Sequence, residues 1–259
     1  MKKFYFVCLL YFFFTKIVHL SNIEPRLRIF CLILTTKKNL NSKALIVHET
    51  WANKCDNHTF ISIIDNSNTK RKEIKHKNLF YVTQPKNFIE DTYKNLTDKI
   101  LLSFQDVYEN HNDYDWYLKA DDDTFIFMDN LHDFLKDKNR NLPVTYGHNF
   151  KVKIEGGFQS GGAGYLVSNE AFKRISLSLK KDKDFCSKKS GIEDIEVRLC
   201  LKKLKVELGE SVDHLNRERF HPTNFNAHFL DPPIWLNEYS KHPPQKVNHR
   251  SNLRSKFQN

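Results

Sequence analysis

Three consecutive carboxylates, Asp121, Asp122 and Asp123, interrupt an apolar, aromatic-rich run that begins Trp116-Tyr-Leu-Lys-Ala and resumes as Thr124-Phe125-Ile126-Phe127. Carboxylate oxygens are the ligands that hard divalent cations such as magnesium and manganese prefer. In an open α/β sheet, ligands sit beyond the carboxyl ends of the strands. A strand that ends in acid therefore points to a metal held against a phosphorylated ligand. The competing reading is a solvated turn or an acidic helix start. Apolar flanks on both sides, and repulsion between charges packed this closely, weigh against it.

Two other stretches carry chemistry-bearing residues. Gly156, Gly157, Gly161, Gly162 and Gly164, five of the chain's eight glycines, fall in one short run ahead of an apolar strand (Tyr165 to Val167) and a helix capped by Ser168 or Asn169. Glycine permits close backbone approach to a ligand, although turn chemistry alone accounts for such a run and it matches no established phosphate-binding loop. Further on, Ser190-Gly-Ile-Glu-Asp-Ile-Glu places Glu193 and Asp194 in the opening turn of a predicted helix. Acids there favour the helix dipole. The functional alternative is that one of them is a catalytic base.

The elements around these stretches alternate. Residues 27 to 35 read as a buried strand, 39 to 52 as a helix, 58 to 65 as a strand, 66 to 78 as a basic loop and 79 to 82 as a short strand. A long amphipathic helix follows over about 89 to 111, with Tyr93, Leu96, Ile100, Phe104 and Val107 at helical spacing. After the acidic strand come a helix near 130 to 138 and a strand near 144 to 146. Repeated strand, helix, strand units predict an α/β fold with a mostly parallel central sheet and helices on both faces.

The 259 residues suffice for one sizeable core with appendages. Lys2 and Lys3 precede the apolar run Phe4 to Phe14, which suits a signal-peptide core or a short uncleaved signal anchor. Either takes the chain into the secretory pathway. Apart from Cys8 in that run there are four cysteines. Cys31 with Cys55 and Cys186 with Cys200 is the simplest of three pairings, and four buried free thiols is the alternative. Asn57-His-Thr and Asn95-Leu-Thr are N-glycosylation acceptors. The net charge of +10 is spread over loops and tail. With no nucleic-acid module to go with it, it speaks against a nucleic-acid partner and for attraction to acidic surfaces and phosphorylated donors.

Taken in order, Thr50-Trp-Ala-Asn-Lys-Cys, Trp116-Tyr-Leu-Lys-Ala-Asp-Asp-Asp-Thr, Ser160-Gly-Gly-Ala-Gly-Tyr, Gly191-Ile-Glu-Asp and Phe220-His-Pro resemble glycosyltransferase family 31. Within it they are most similar to the branch of beta-1,3-galactosyltransferases that builds core 1 O-glycans. The resemblance implies a GT-A type domain over 27–244, behind an N-terminal anchor (1–20) and a short stem (21–26) and ahead of a basic tail (245–259). It implies a UDP-galactose donor, Mn2+ and inverting transfer to the 3-hydroxyl of GalNAc on serine or threonine of a glycoprotein. It further implies a Golgi or other secretory membrane location, single-pass with a lumenal catalytic domain, and leaves room for a homodimer.

Carried onto this chain, the resemblance makes Asp121 and Asp123 the metal acids and sets Asp121, Asp122, Gly161 and Gly162 at the nucleotide sugar. Asp194 falls where the family has its base, and Trp235 and Glu193 fall on the acceptor side. The pattern differs at Arg198 and Leu199, where the family carries Gly then Arg. Past Pro243-Pro244 the family continues with a double cysteine and a Ser-Phe-His-Tyr motif that residues 245 to 259 lack; His242 and His249 do not match it. Two alternatives stand beside this reading: another beta-1,3-glycosyltransferase of the family, or a non-catalytic relative acting as chaperone or sugar-binding partner.

Overall fold

Strand β1 (Ile29–Leu34) is buried along its whole length, and its alternation divides the core. Ile29, Cys31 and Ile33 face one side of the sheet, where they pack with Ala44 and Val47 of helix α1 (Lys43–Thr50) and with Met128, Leu131 and Leu135 of α3 (Met128–Leu135). Phe30, Leu32 and Leu34 face the other side. There they meet α2 (Leu96–Asn110), α4 (Asn169–Lys181) and α5 (Glu193–Lys203). A strand with two apolar faces needs a helical layer on each, and this one has both. The structure, a computed structural model, describes residues 26–67, 69–186 and 191–245. The expected anchor, nearly all of the stem and the tail beyond residue 245 lie outside them.

The sheet has eight strands in the order β10-β6-β9-β5-β1-β2-β4-β3. These are β2 (Asn57–Ile61), β3 (Lys72–His76), β4 (Phe80–Gln84), β5 (Trp116–Asp121), β6 (Val144–Gly147), β9 (Tyr165–Ser168) and β10 (Glu207–Leu208) around β1. β1 runs parallel to both β2 and β5, β2 to β4, and β10 to β6. β9 is antiparallel to both neighbours, and β3 pairs antiparallel at the edge. After β1 the chain builds β2, β3 and β4 on one side and then crosses to β5 on the other. This opens a crevice at the carboxyl ends of β1 and β5, where Thr35 and Asp121 to Asp123 emerge. A short hairpin, β7 (Asn149–Phe150) with β8 (Phe158–Gln159), and helix α6 (Ile234–Tyr239) complete the fold.

The expected elements are present with shifted bounds. The long helix begins at Leu96, because residues 89 to 92 are irregular and Tyr93–Asn95 forms a 3-10 turn. The basic stretch read as loop contains β3: Glu73, Ile74 and Lys75 are exposed along it, which marks a solvent-facing edge strand, the usual place for charged residues in a sheet. Ser168 caps α4, its hydroxyl accepting from the Ala171 amide at 3.2 Å. Both expected disulfides are present, with Cα separations of 6.2 Å for Cys31–Cys55 and 5.0 Å for Cys186–Cys200. No helix among the described residues is long and apolar enough to cross a membrane.

Candidate active site

Strand β5 delivers its carboxylates in three directions. Asp122 turns inward: Thr35 Oγ1 donates to its Oδ2 at 2.7 Å and Asn39 Nδ2 donates to the same oxygen at 2.8 Å. Its backbone amide continues the ladder to Leu34 O. Asp123 points out to solvent, with Lys43 Nζ of α1 2.8 Å from its Oδ2. Asp121 leans back along its own strand, where Lys119 Nζ lies 2.9 Å from its Oδ1. The loop is pinned from below by the Trp51 indole, which donates to Thr124 O at 3.0 Å. Thr124 Oγ1 accepts from the Asp121 amide and donates to Gly162 O. The acidic loop and the glycine run are therefore one structure.

Helix α5 arrives from the other side. Its N-cap is Ile192, which offers no side-chain cap, and the Gly191 amide donates to Glu196 Oε1 at 3.0 Å. Glu193 and Asp194 are thus left to face the site instead of closing the helix end. Glu193 is buried; Tyr165 donates from its hydroxyl to Oε1 at 3.3 Å, and Lys119 Nζ stands 4.0 Å from Oε2. Burial pushes the Glu193 carboxyl well up; Lys119 opposes this and neighbouring Asp194 adds to it. Lys119 is itself sealed in. Burial alone would lower its ammonium, but Glu193 and Asp121 outweigh that and hold it raised.

Gly161 sits where these groups meet. A Cβ there would come 2.9 Å from Glu193 Oε2 and 3.0 Å from Lys119 Nζ, and nearer still to Asp194 Oδ1. Only glycine fits. Asp194 is half-buried beside it, and the space around Gly162 is open. Glu193, Asp194, Asp121 and Gly161 are therefore brought together. Trp235 is 41% exposed on α6, its ring 6.3 Å from Phe150 and 6.0 Å from Tyr239. Phe150, Phe158, Ile195 and Leu236 form one cluster joining α6 to the start of α5.

Asn57 opens β2 with its Oδ1 accepting from the His58 amide, and Asn95 Nδ2 donates to Glu90 Oε2. Arg198, one of the two departures, is buried and donates from Nη1 to Val206 O at 2.7 Å. Lys119, Tyr165, Lys43 and Thr35 are site residues that the sequence reading did not single out. The available signal was Lys119, a lone charge inside an otherwise apolar strand.

Carboxylate oxygens are the kind of ligand that a hard cation takes. Asp121 and Asp123 each have one carboxylate oxygen in a lysine pair, and the second has no partner among the described residues. Two carboxylates with ligand phosphates are a usual set for such ions. Among the described residues no group of three or more His, Cys, Asp or Glu forms a closed metal cage, so the remaining ligands would come from the bound molecule and water.

The Fringe-like family model matches residues 26–232. Glycoprotein-N-acetylgalactosamine 3-beta-galactosyltransferase 1 of Xenopus laevis is 29% identical over 203 residues, covering 78% of this chain and 52% of that protein. Human chondroitin sulfate synthase 3 is 24% identical over 70% of this chain and 21% of its own length. Mouse beta-1,3-glucosyltransferase is 27% identical over 53% of this chain and 28% of its own length. The chain thus spans about half the length, or less, of these relatives. Among solved structures, a glycosyltransferase involved in the glycosylation of the major capsid of PBCV-1 overlaps 61% of this chain and 69% of its own, at 14% identity and a TM-score of 0.36.

Proposed function

The chain belongs to the Fringe-like family, and from that premise we propose that it is an inverting beta-1,3-galactosyltransferase acting on GalNAc linked to serine or threonine, with UDP-galactose as donor. The observation that carries the reading is the meeting of Asp121, Glu193 and Asp194 around Lys119 and the side-chain-free Gly161. Donor-side and acceptor-side carboxylates share one small floor.

In this reading Asp121 and Asp123 would hold a divalent cation, manganese, which would supply positive charge against the departing diphosphate. Asp122, fixed by Thr35 and Asn39, shapes the donor loop from within. Gly161 and Gly162 let the sugar approach the backbone. Asp194 accepts the proton of the acceptor 3-hydroxyl as that oxygen bonds to the anomeric carbon. The bond from that carbon to UDP breaks with its electron pair leaving on the diphosphate, and attack from the opposite face inverts the centre. Glu193 lines the acceptor side, and the exposed face of Trp235 stacks on the acceptor sugar. We place the domain, about 27–244, in the secretory lumen.

Transfer of radiolabelled galactose from UDP-galactose to a GalNAc-peptide, with and without manganese, tests this. Metal-dependent transfer with a beta-1,3 product is expected. Transfer to other acceptors only would move the protein to another beta-1,3 specificity, a class to which the glucosyltransferase similarity also points. UDP binding without transfer to any acceptor would make it a non-catalytic relative.

A further inference from the structure

We infer that Lys119 is a positioning residue: it fixes Glu193, and with it the first turn of α5 that carries Asp194, against the donor-side carboxylate of Asp121 and the Gly161 loop. The inference rests on the transferase reading and adds to it a residue that sets where the base stands.

An ammonium has three donors and no acceptor; here two are hydrogen-bonded and the charge also faces a third group. One donor goes to Asp121 Oδ1 at 2.9 Å, one to Gly161 O at 3.1 Å, and the charge faces Glu193 Oε2 at 4.0 Å. These belong to a strand end, a loop and a helix start that are not neighbours in sequence. Lys119 pairs with Tyr165 across the antiparallel β5 and β9, and Tyr165 holds the other oxygen of Glu193. One rung of the sheet thus flanks Glu193, Tyr165 hydrogen-bonding one carboxylate oxygen and the Lys119 ammonium facing the other as an ion pair at 4.0 Å.

Stability alone does not account for a charge in this place. Tyr117, Leu118 and Ala120 on the same strand are buried apolar residues. A well-packed apolar side chain in place of a buried ion pair is often neutral or stabilising. What an apolar residue could not do is keep two carboxylates of opposite roles at one fixed spacing. Positioning of that kind enters rates steeply, a displacement of about 1 Å costing on the order of 10²-fold.

The test compares Lys119→Met, Lys119→Arg, Tyr165→Phe, Glu193→Gln and the double variant Lys119→Met/Glu193→Gln, reading kcat, acceptor KM, UDP affinity with manganese by calorimetry, and melting temperature. Lys119→Met should lower kcat by about 10²-fold without weakening UDP binding, and Lys119→Arg should recover part of the rate. Because Lys119 acts through Glu193, the double variant should be no slower than Lys119→Met, a departure from additivity expected of groups in contact. Near-normal kcat in Lys119→Met, losses that multiply in the double variant, or UDP affinity falling in parallel with rate would overturn the inference. Should Lys119→Met not fold, Tyr165→Phe and Lys119→Arg carry the test. Both should then slow turnover at unchanged UDP affinity, and normal turnover in both overturns it. A wild-type protein that neither binds UDP nor transfers sugar overturns the transferase reading, and the inference with it.

Discussion

Thr35 and Asp122, 87 residues apart in sequence, are joined by a hydrogen bond of 2.7 Å from the threonine hydroxyl to Asp122 Oδ2. That bond ties the ends of β1 and β5 together at the crevice and commits the middle acid to the protein, while the outer two stand in lysine pairs. The three acids should therefore separate on substitution. Asp123→Asn should abolish manganese-dependent UDP binding and leave the melting temperature nearly unchanged, since an amide keeps the shape and loses the charge a hard cation requires. Asp122→Asn should cost about 1–3 kcal/mol of stability, because two donors converge on one of its oxygens. Calorimetry with UDP and thermal melts on both variants decide it; unchanged UDP affinity in Asp123→Asn would return the three acids to a solvated turn.

Stability should also fall toward alkaline pH through a single residue. Glu218 is buried with Oε1 unpartnered and Oε2 accepting from Ser211 Oγ at 3.1 Å, and burial pushes its carboxyl up to about 7. The folded state binds this proton more tightly than the unfolded chain does. The contribution is complete below the ordinary value of 4.5 and is lost as pH rises through about 7, by no more than about 3 kcal/mol. Glu218→Gln should melt higher than wild type near about pH 8 and converge with it near about pH 5. Identical pH slopes for the two proteins would assign the effect elsewhere. Buried His148 and half-buried His221, lowered to about 4 and about 3 by desolvation, act in the opposite sense, removing stability as pH falls below their ordinary value of 6.5 toward those values.

These two cases show what could be read from sequence and what could not. The acidic strand end, the glycine run and the opening turn of α5 are local patterns, and each appears where residue type and spacing put it. The inward turn of Asp122, the burial of Glu218 and the threefold contact of Lys119 depend on residues tens of positions away. No local pattern carries them. Asp121, Asp122 and Asp123 are identical in type, and only the neighbours Lys119, Thr35 and Lys43 distinguish them. Strand β3 escaped for a related reason: an edge strand faces water, so its apolar periodicity is weak.

The disulfide between Cys186 and Cys200 closes a loop across a sequence separation of 14 residues and lands on the third turn of α5. Removing it with Cys186→Ser/Cys200→Ser should lower stability by about 3 kcal/mol in the chain-entropy model. Because α5 also carries the site acids, turnover should fall more than the melting temperature alone accounts for. Chemical denaturation and activity at a temperature where both proteins stay folded separate the two effects, and equal specific activities would confine the bond to a stability role.

Gly161→Ala isolates the geometry of the floor. The added methyl would lie 2.9 Å from Glu193 Oε2 and 3.0 Å from Lys119 Nζ, with Asp194 on its other side, so the carboxylates must move to admit it. Overpacking of this kind costs about 1–3 kcal/mol. Turnover should fall well beyond that loss of stability, whereas Gly162→Ala, where nothing lies within 4 Å, should leave the melting temperature nearly unchanged and act only on approach of the donor. Equal effects at the two glycines would show that the site tolerates the displacement.

The assignment of Asp194 as base makes the sharpest demand. General-base catalysis contributes about 10²- to 10⁴-fold, so Asp194→Asn should lower kcat by that factor while UDP affinity, which depends on Asp121 and Asp123, stays level. Helix capping would predict a different pattern, lost stability with little loss of rate, but asparagine caps about as well as aspartate, and the Gly191 amide is already satisfied by Glu196. Glu193→Gln should cost less than Asp194→Asn. Glu193 is gripped by Tyr165 and Lys119 and sealed from solvent, whereas Asp194 stands half-exposed beside the open ground at Gly162. Turnover, UDP affinity and melting temperature of both variants give the answer. A rate loss larger in Glu193→Gln than in Asp194→Asn would transfer the base to Glu193 and leave Asp194 as the residue that tunes it.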